Sequence, residues 1–394
     1  MRGYLRSDGR KGIRNIVAVA YLVECAHHVA REIVSRNGDA AHLIGFPGCY
    51  PNDYAQNMME KLCTHPNVGA VLLVSLGCES FNRAKLETVI AASGRPVFSI
   101  VIQREGGTLS SVKRGQDWVQ EQVSRLAKEK TVSMELPELS IGTICGGSDG
   151  TSGITGNPAA GRAFDRLVEE GAICIFEETG ELIGCEEIMA ERAATPELAK
   201  ELRASVQKAA QYYAKLGYGS FAAGNADGGL STIEEKSMGA YAKSGISKIS
   251  GLIKPGDRPK KGGLYLMDVV PDGEVRFGFP NISDNAEIVE MMASGVHMTL
   301  FVTGRGSVVG SAISPVIKIA ANPQMYERLS EDMDINAGRI LSGAADLDQV
   351  GDEIVELVKN VAGGTKTKSE QLGHREFILT YKTFEPIGPA CLPV

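Results

Sequence analysis

Four cysteines follow apolar, strand-like segments and are the first candidates for chemistry. They are Cys25, Cys49, Cys78 and Cys145. Ligands bind beyond the carboxyl ends of the strands in open α/β sheets, so we expect these thiols along one sheet edge. Thiolate near a carboxylate such as Glu79 suits Fe²⁺ or an iron–sulfur site better than Mg²⁺. The alternative is that these cysteines are small core residues, because no CxxC spacing supports a metal.

Three polar, glycine-containing loops could hold a small anion. Glycine accounts for 46 of 394 residues, about 12%, compared with roughly 7% on average. Arg6–Asn15 holds four cations, and arginine can bind a carboxylate with two parallel hydrogen bonds. Gly224–Gly229 and Thr303–Gly306 are the other two loops, and Ser314–Lys318 follows the third. The alternatives are a solvated N-terminal arm for the first loop and ordinary tight turns for the others.

An acidic segment, Glu177–Glu181, ends the strand-like stretch Ala172–Phe176. Carboxylates at the end of a strand are well placed to act as a base or to ligate a metal ion. A solvated acidic turn is an equally good interpretation of the same pattern.

Composition and charge exclude several classes of function. The 41 basic and 48 acidic residues give a net charge of −7 without a basic cluster, so nucleic acid and anionic membranes are not expected partners. No apolar run approaches the roughly 20 residues of a membrane helix, and no signal peptide is visible. We therefore expect a cytoplasmic protein whose cysteines are thiols or metal ligands.

A nicotinamide cofactor is also not expected. Gly304, Gly306 and Gly310 have the spacing GxGxxxG, one residue away from the dinucleotide-binding pattern. Ser314 and Pro315 interrupt any helix after them, and no acid follows at the distance that a ribose contact needs. We therefore predict no residue that binds an organic cofactor.

Alternating strand-like and helix-like segments predict an α/β fold with two doubly wound, mainly parallel-sheet domains joined by glycine-rich loops. The predicted units are an N-terminal α/β domain (1–140), a second α/β domain carrying the glycine-rich loops (141–362) and a C-terminal arm (363–394). Cys145–Gly161 lacks periodicity and is predicted to be a loop. The clearest predicted elements are helices Asp53–Cys63 and Pro196–Leu216 and strands Leu139–Ile144 and Val316–Ala320.

Taken together, the loops resemble those of the altronate/galactarate (hexarate) dehydratase family. The matching segments are GYLRSDGRKGIRN, the Gly77-Cys78-Glu79 turn, CGGSDGTSGITGNP, FEETGE, GNADGGLSTIEEKSMGA, TGRG with SPVIK, and SEDMDINAG. They run in order from residue 3 to residue 338, so the joint match is far more specific than any single loop.

The resemblance implies a lyase that eliminates a β-substituent from a small 2-hydroxy acid and needs a divalent metal, commonly Fe²⁺. It also implies a small N-terminal-type partner subunit and an oligomer, because relatives carry an additional small N-terminal domain. Large subunits of this layout resemble sulfo-lyases that convert (2R)-3-sulfolactate to pyruvate and bisulfite. A sugar-acid dehydratase subunit is the main alternative. An NAD(P)-dependent oxidoreductase and a non-catalytic scaffold for the small subunit are weaker alternatives.

Within this hypothesis, residue roles are assigned from the matching segments. The acid–base candidates are Asp149, Glu178 and Lys236. The metal-ligand candidates are Cys49, Cys78, Glu79 and Cys145. The candidates for binding the anionic substrate are Arg6, Asp8, Arg14, Asn15, Ser148, Asn157, Asn225, Arg305 and Lys318.

Overall fold

Two parallel sheets with helices packed against them form the framework of the protein. The computed structural model describes residues 1–216, 223–273, 283–379 and 381–382. The strands are β1 (Arg2–Leu5), β2 (Lys11–Gly12), β3 (Ile16–Tyr21), β4 (Ala41–Gly45), β5 (Val68–Ser75), β6 (Val97–Val101), β7 (Val132–Ser133), β8 (Ser140–Cys145), β9 (Ile173–Phe176), β10 (Ile249–Ile253), β11 (Gly263–Met267), β12 (Met298–Thr303), β13 (Val316–Ala320) and β14 (Ile335–Asn336). The helices are α1 (Glu24–Ser35), α2 (Asp53–Cys63), α3 (Arg83–Ala92), α4 (Thr108–Leu126), α5 (Gly156–Glu169), α6 (Glu186–Glu191), α7 (Pro196–Leu216), α8 (Ala223–Asp227), α9 (Ile233–Tyr241), α10 (Asp284–Ala293), α11 (Pro323–Arg328), α12 (Leu347–Ala362) and α13 (Lys368–Leu372).

The first sheet has the strand order β4-β3-β5-β6, with every pair parallel. Every residue of β5 is buried, which its continuous apolar run VGAVLLVS requires of a strand covered on both faces. Helices α1 and α4 cover one face, where Ile33 and Val119 are completely buried. Helices α2 and α3 cover the other face through Met59 and Leu86.

The second sheet has seven strands in the order β10-β11-β9-β8-β12-β13-β14, all pairs parallel. Helices α5 and α12 bury Phe164 and Ile354 on one face. Helix α10 covers the opposite face, and its Met291 shares a core with Met58 of α2. The two sheets are therefore joined by a continuous apolar layer. A small antiparallel sheet, β2-β1-β7, lies beside them.

The predicted α/β class with mainly parallel sheets is confirmed. The bounds of α2, α7 and β13 agree with the prediction. The strands of the first sheet lie between residues 16 and 101 and those of the second between 140 and 336. The predicted unit boundaries at 140/141 and 362/363 stay predictions.

Two expectations need correction. Cys145 does not share a sheet with Cys25, Cys49 and Cys78, because its strand β8 pairs with β9 and β12 in the centre of the second sheet. The segment Cys145–Gly161 is not loop throughout, since α5 begins at Gly156. The glycines and proline of that first turn hide the helical periodicity of the residues that follow.

The C-terminal segment 363–394 is described only in part. It contains α13, and Leu379 is buried in the core that the two sheets share. Residues 380 and 383–394, with the prolines of the predicted arm, lie outside the described residues. Within the described part of the chain, no helix is long and apolar enough to cross a membrane.

Candidate active site

The carboxyl ends of β8 and β9 bring a thiol and two carboxylates together. These strands are adjacent and parallel, with Thr143 opposite Phe176, so the residues at their ends lie side by side. The Sγ atom of Cys145 lies 3.1 and 3.3 Å from the carboxylate oxygens of Glu178. It also lies 2.9 Å from Oε2 of Glu181. A single thiol therefore contacts both carboxylates.

Two lysines complete this group. The Nζ atom of Lys243 pairs with Oε2 of Glu178, and the Nζ atom of Lys236 pairs with Oε1 of Glu181. Lys236 belongs to α9, and Lys243 follows in the short 3₁₀ turn after that helix. All four charged side chains are at least 86% buried, so their charges interact with little screening from water. We call these four residues and Cys145 the acid–lysine cluster.

The backbone of Glu178 is unusual. Its φ of 79° and ψ of 51° lie in the left-handed region, and among the described residues it is the only one other than glycine with a positive φ. This conformation costs roughly 1–2 kcal/mol for a residue with a Cβ atom. It orients the Glu178 carboxylate toward the backbone N–H of Cys145, 3.3 Å away. Strain of this kind is typical of functional sites.

Burial and neighbouring charge shift the acidities in the cluster. Desolvation, followed by repulsion from Glu181, raises the pKa of Glu178 to about 7, although Lys243 opposes the shift. Desolvation and the carboxylates Glu178 and Glu181 hold the pKa of the Cys145 thiol well above its usual range. The thiol is therefore protonated near neutral pH in the absence of a cation.

A second set of acids borders the cluster. Glu177 is 1% exposed, and neither of its carboxylate oxygens has a hydrogen-bond partner among the described residues. Burial and then repulsion from Glu287 hold the pKa of Glu177 well above the usual range. Burial and then repulsion from Glu178 do the same to the pKa of Glu287. Burial also raises the pKa of Asp284 to about 6. The two lysines of the cluster are fewer than the buried carboxylates around them, although Lys382, which pairs with Glu290, also acts on Glu287.

Two sets of side chains could hold a metal ion. Within each set the ligand atoms lie within 4.8 Å of one another. The sets are Cys145, Glu178 and Glu181, and Glu177, Glu178 and Glu287. Glu178 belongs to both sets and pairs with Lys243. The second set fits a divalent cation better, because its Glu177 is buried without a partner among the described residues, whereas Glu181 of the first set pairs with Lys236.

The glycine-rich segments after β8 and β12 and the loop before α9 meet beside the cluster, whereas the predicted loop Arg6–Asn15 does not contribute to this region. The N–H of Gly150 donates to the carbonyl of Gly228 at 2.9 Å, which joins the first glycine-rich segment to the loop before α9. The N–H groups of Gly304 and Arg305 both donate to the carbonyl of Gly147 at 3.0 Å. These contacts bring the segments after β8 and β12 together at the carboxyl edge of the sheet.

A cavity of about 350 Å³ lies between the segment after β8 and helix α9. Four predicted site residues line it: Ser148, Asp149, Asn157 and Lys236. The Oδ1 atom of Asn157 is buried without a hydrogen-bond partner among the described residues, so it is available to a ligand. Asn225 is buried nearby, in the loop that contacts Gly150. The cavity volume falls near the lower end of the range for small-molecule sites.

Asp149, a predicted acid–base residue, holds the loop together. Its Oδ1 atom accepts hydrogen bonds from the backbone N–H and hydroxyl groups of Thr151 and Ser152 at 2.6–3.2 Å. Its Oδ2 atom accepts from Nδ2 of Asn322 at 3.0 Å. With five donors, this carboxylate fixes the shape of the cavity wall. Arg305 is exposed at the rim, with its side chain over Gly147.

The structure does not bring five of the predicted substrate residues to this cavity. Arg14 forms a bidentate ion pair with Glu370, with N···O distances of 2.7 and 2.8 Å. The others are Arg6, which contacts Pro66 and Glu129; Asp8, which pairs with Arg10; Asn15, which donates to Leu126 and Glu129; and Lys318, which contacts Asp332 and His374. These side chains instead tie the N-terminal segment and the C-terminal segment to the two sheets.

The predicted ligands of the first sheet form a separate group. Cys49 and Cys78 are exposed, and their loops are joined by the hydrogen bond from the N–H of Ser80 to the carbonyl of Cys49 at 2.9 Å. Glu79 accepts hydrogen bonds from Ser75 and from the N–H of Gly77. Among the described residues, these three do not belong to a compact set of metal-ligating atoms.

Sequence reasoning missed Lys243 and the role of Glu287. A signal for the lysine was present, because Lys236 and Lys243 are seven residues apart, and this spacing places two side chains on one helical face. Glu287 gave no such signal, since it is one of three acidic residues in α10, and the sequence does not distinguish it from Asp284 and Glu290. Only packing of α10 against the second sheet brings it to the cluster.

The fold and the cluster define the class of the protein: an α/β protein with a buried acid–base site at the carboxyl ends of parallel strands. Residues 3–127 match the family model described as D-galactarate dehydratase/altronate hydrolase, second domain. Residues 136–384 match the model described as D-galactarate/altronate dehydratase, C-terminal. The chain belongs to the D-galactarate/altronate dehydratase family, as its motifs predicted.

Individual relatives narrow the class to lyases. The chain is 33% identical to the (2R)-sulfolactate sulfo-lyase subunit beta of Chromohalobacter salexigens, with 96% of each chain covered. It is 28% identical to the altronate dehydratase of Escherichia coli over 95% of this chain and 76% of that one. It is 32% identical to the galactarate dehydratase (L-threo-forming) of the same organism, over 80% of this chain and 60% of that one. A sulfo-lyase and dehydratases are all lyases, and the similar identities do not separate them.

Proposed function

We propose that the protein is the large subunit of a metal-dependent lyase that eliminates a β-substituent from a small 2-hydroxy acid, with (2R)-3-sulfolactate as the substrate. The observation that carries the proposal is the strained, buried Glu178 between Cys145 and Lys243, beside a loop-lined cavity. A carboxylate and two ammonium groups in one desolvated site suit the removal of a proton next to a carboxylate.

In the proposed reaction, Glu178 removes the proton from C2 of the hydroxy acid. Negative charge then develops on the substrate carboxylate, where Lys236 and Lys243 stabilise it as charge-assisted donors. The C3–S bond breaks, and its electron pair leaves with sulfite. The remaining enol takes up at C3 the proton held by Glu178 and loses the proton of its C2 hydroxyl group, which gives pyruvate. Sulfite takes up a proton, so the products are pyruvate and bisulfite.

A divalent cation, proposed to be Fe²⁺, fits the same acids. Glu177 and Glu287 would hold it beside Glu178, because both carboxylates are buried and that of Glu177 has no hydrogen-bond partner among the described residues. When bound, such an ion supplies Lewis-acid stabilisation of charge that develops on the substrate oxygens.

The relatives and the rim of the cavity support the choice of substrate. The match to the sulfo-lyase subunit extends over 96% of both chains. A sulfonate is a second fixed anion on the substrate. Arg305 is exposed beside Gly147, and its side chain forms no hydrogen bond or ion pair among the described residues. The word "subunit" in that relative's name supports a small partner subunit for this chain also.

A sugar-acid dehydratase is the alternative. Identities of 28% and 32% to altronate and galactarate dehydratases support it equally well. In that reaction hydroxide replaces sulfite as the leaving group. Hydroxide leaves with difficulty, so a general acid must protonate it, and Lys236 lines the cavity where such a proton would be delivered.

The leaving group can be determined directly. The chain, purified through an affinity tag together with any co-purifying small subunit, is incubated anaerobically with Fe²⁺ and, separately, with 3-sulfolactate, altronate and galactarate. Bisulfite with pyruvate supports the proposal, whereas a 2-keto-3-deoxy acid supports the dehydratase. Consumption of none of the three acids would overturn the assignment of this chain as the catalytic subunit.

Replacing Glu177 with glutamine is expected to weaken divalent-metal binding about tenfold or more, because a charged ligand is lost while the size of the side chain is kept. Equilibrium dialysis with Fe²⁺, followed by metal quantification, measures the affinity independently of turnover. Cys78→Ser is the matched control for the alternative ligand set and should bind metal like the unmodified chain. Unchanged binding in Glu177→Gln, or loss of metal in Cys78→Ser, would contradict the proposed ligands.

A further inference from the structure

A second polar cavity, of about 250 Å³, lies at the amino ends of the strands. Pro66, Ser140 and His297 line it: Ser140 begins β8, His297 directly precedes β12, and Pro66 lies two residues before β5. The acid–lysine cluster lies at the opposite, carboxyl ends of β8 and β9. This cavity is therefore separate from the candidate active site.

Two arginines enter this cavity with unused donors. Arg10, from the N-terminal loop, is fixed by Asp8 at 2.6 and 3.0 Å and by the carbonyl of Thr64 at 2.6 Å. Its Nη1 atom is nevertheless buried without a partner among the described residues. Arg258, from the loop between β10 and β11, has no partner there for its buried Nε and Nη2 atoms.

A glycine at position 295 leaves room for the Arg258 side chain. A Cβ atom at Gly295 would lie 3.3 Å from Nε of Arg258, so the glycine, with a φ of +89°, gives the guanidinium room to pack against the chain. Nε and Nη2 lie on the same side of a guanidinium and form the pair of donors that grips an oxyanion with two parallel hydrogen bonds.

The charges around the cavity leave a positive excess. Lys11 pairs with Glu138 at 2.6 Å and Arg10 pairs with Asp8, whereas Arg258 has no carboxylate partner among the described residues. His297 also lines the cavity, but its ring nitrogens are occupied by the N–H of Ser140 and the carbonyl of Lys11. Arg258 is partly exposed, but its buried Nε and Nη2 donors have no partner among the described residues. Unsatisfied buried donors are costly, so an anion that accepts from them would stabilise this arrangement.

We propose that this cavity binds a small oxyanion of the phosphate class, held by Nε and Nη2 of Arg258 and by Nη1 of Arg10. The burial of unused guanidinium donors distinguishes it from a solvated basic surface, where water would satisfy each N–H. Because the site joins the N-terminal loop to the amino ends of both sheets, the anion stabilises the junction between them. Its occupant is either free phosphate or the phosphate group of a small metabolite.

Binding is tested by isothermal titration calorimetry of the full chain with sodium phosphate and with glycerol 3-phosphate, at an ionic strength held constant with chloride. Replacing Arg258 with glutamine should weaken phosphate binding about tenfold or more. Lys260→Gln is the matched control, because it removes the same charge from an exposed residue two positions away. This variant should bind phosphate like the unmodified chain.

A thermal unfolding experiment separates binding from a structural role. Without phosphate, Arg258→Gln should unfold at the same or a higher temperature, since it removes two buried donors that have no partner among the described residues. With phosphate, only the unmodified chain and Lys260→Gln should gain stability. Tighter binding of glycerol 3-phosphate would identify a metabolite, and tighter binding of phosphate the free ion. Equal affinity of Arg258→Gln and the unmodified chain, or no binding by either, would overturn the proposal.

Discussion

Replacement of Glu178 with glutamine is expected to lower kcat for the elimination about 100- to 10,000-fold, the usual contribution of a general base. Glutamine keeps the size of the side chain and its contacts with Cys145, but it cannot accept the C2 proton. Loss of exchange of the C2 hydrogen with deuterated solvent would identify proton removal as the impaired step. The kcat from steady-state kinetics and the rate of this exchange should therefore decrease together.

The variant also leaves Lys243 buried without its counter-charge. Breaking a buried ion pair in this way costs about 3–5 kcal/mol of the free energy of unfolding. The double variant Glu178→Gln/Lys243→Met removes both charges and should recover stability without recovering activity. Glu201→Gln, at an exposed position of α7, is the charge-matched control and should leave kcat unchanged. A folded Glu178→Gln protein with kcat within tenfold of the unmodified enzyme would exclude Glu178 as the base.

Replacement of Gly304 with alanine is expected to disrupt the cavity and to lower the free energy of unfolding by about 1–3 kcal/mol. An added Cβ atom would lie 2.2 Å from Oδ1 of Asp149 and 2.7 Å from Oγ of Ser152. Asp149 cannot move aside, because five hydrogen bonds hold its carboxylate. The loops after β8 and β12 must then separate, and activity should fall with stability.

A second glycine provides the matched control. At Gly224, in α8, an added Cβ atom meets nothing within 4 Å, and φ is not in the left-handed region. Gly224→Ala should therefore keep full activity and be as stable as the unmodified chain or slightly more stable. Chemical denaturation of both variants measures the difference. Equal stability of Gly304→Ala and Gly224→Ala would contradict the proposed packing of the loops.

The sequence alone predicted the α/β class, the helix Asp53–Cys63 and the family. These features depend on local patterns: continuous apolar runs mark buried parallel strands, and a periodicity near 3.6 marks helices. It also indicated that the three glycine-rich loops carry the site. Hydrogen bonds join the segment after β8 to the loop before α9 and to the segment after β12, and the segment after β8 lines one cavity with α9. The predicted loop Arg6–Asn15 lies elsewhere.

Local patterns could not determine which sheet a strand joins. The sequence placed Cys145 with Cys49 and Cys78 because its strand follows theirs along the chain. Pairing of β8 with β9 and β12 depends on contacts with residues up to 157 positions away. This pairing moves Cys145 to the second sheet and gives it Glu178 and Glu181 as neighbours.

The same limit applies to charged residues. The RSDGRKG segment looked like part of the substrate site from its charge density alone, yet tertiary structure places Arg10 at the amino ends of the strands, beside Arg258. The sequence by itself thus determined the elements, the family and the types of side chain available for chemistry. Only the tertiary structure decided which of those side chains share a site, because burial and charge pairing arise from segments that are distant along the chain.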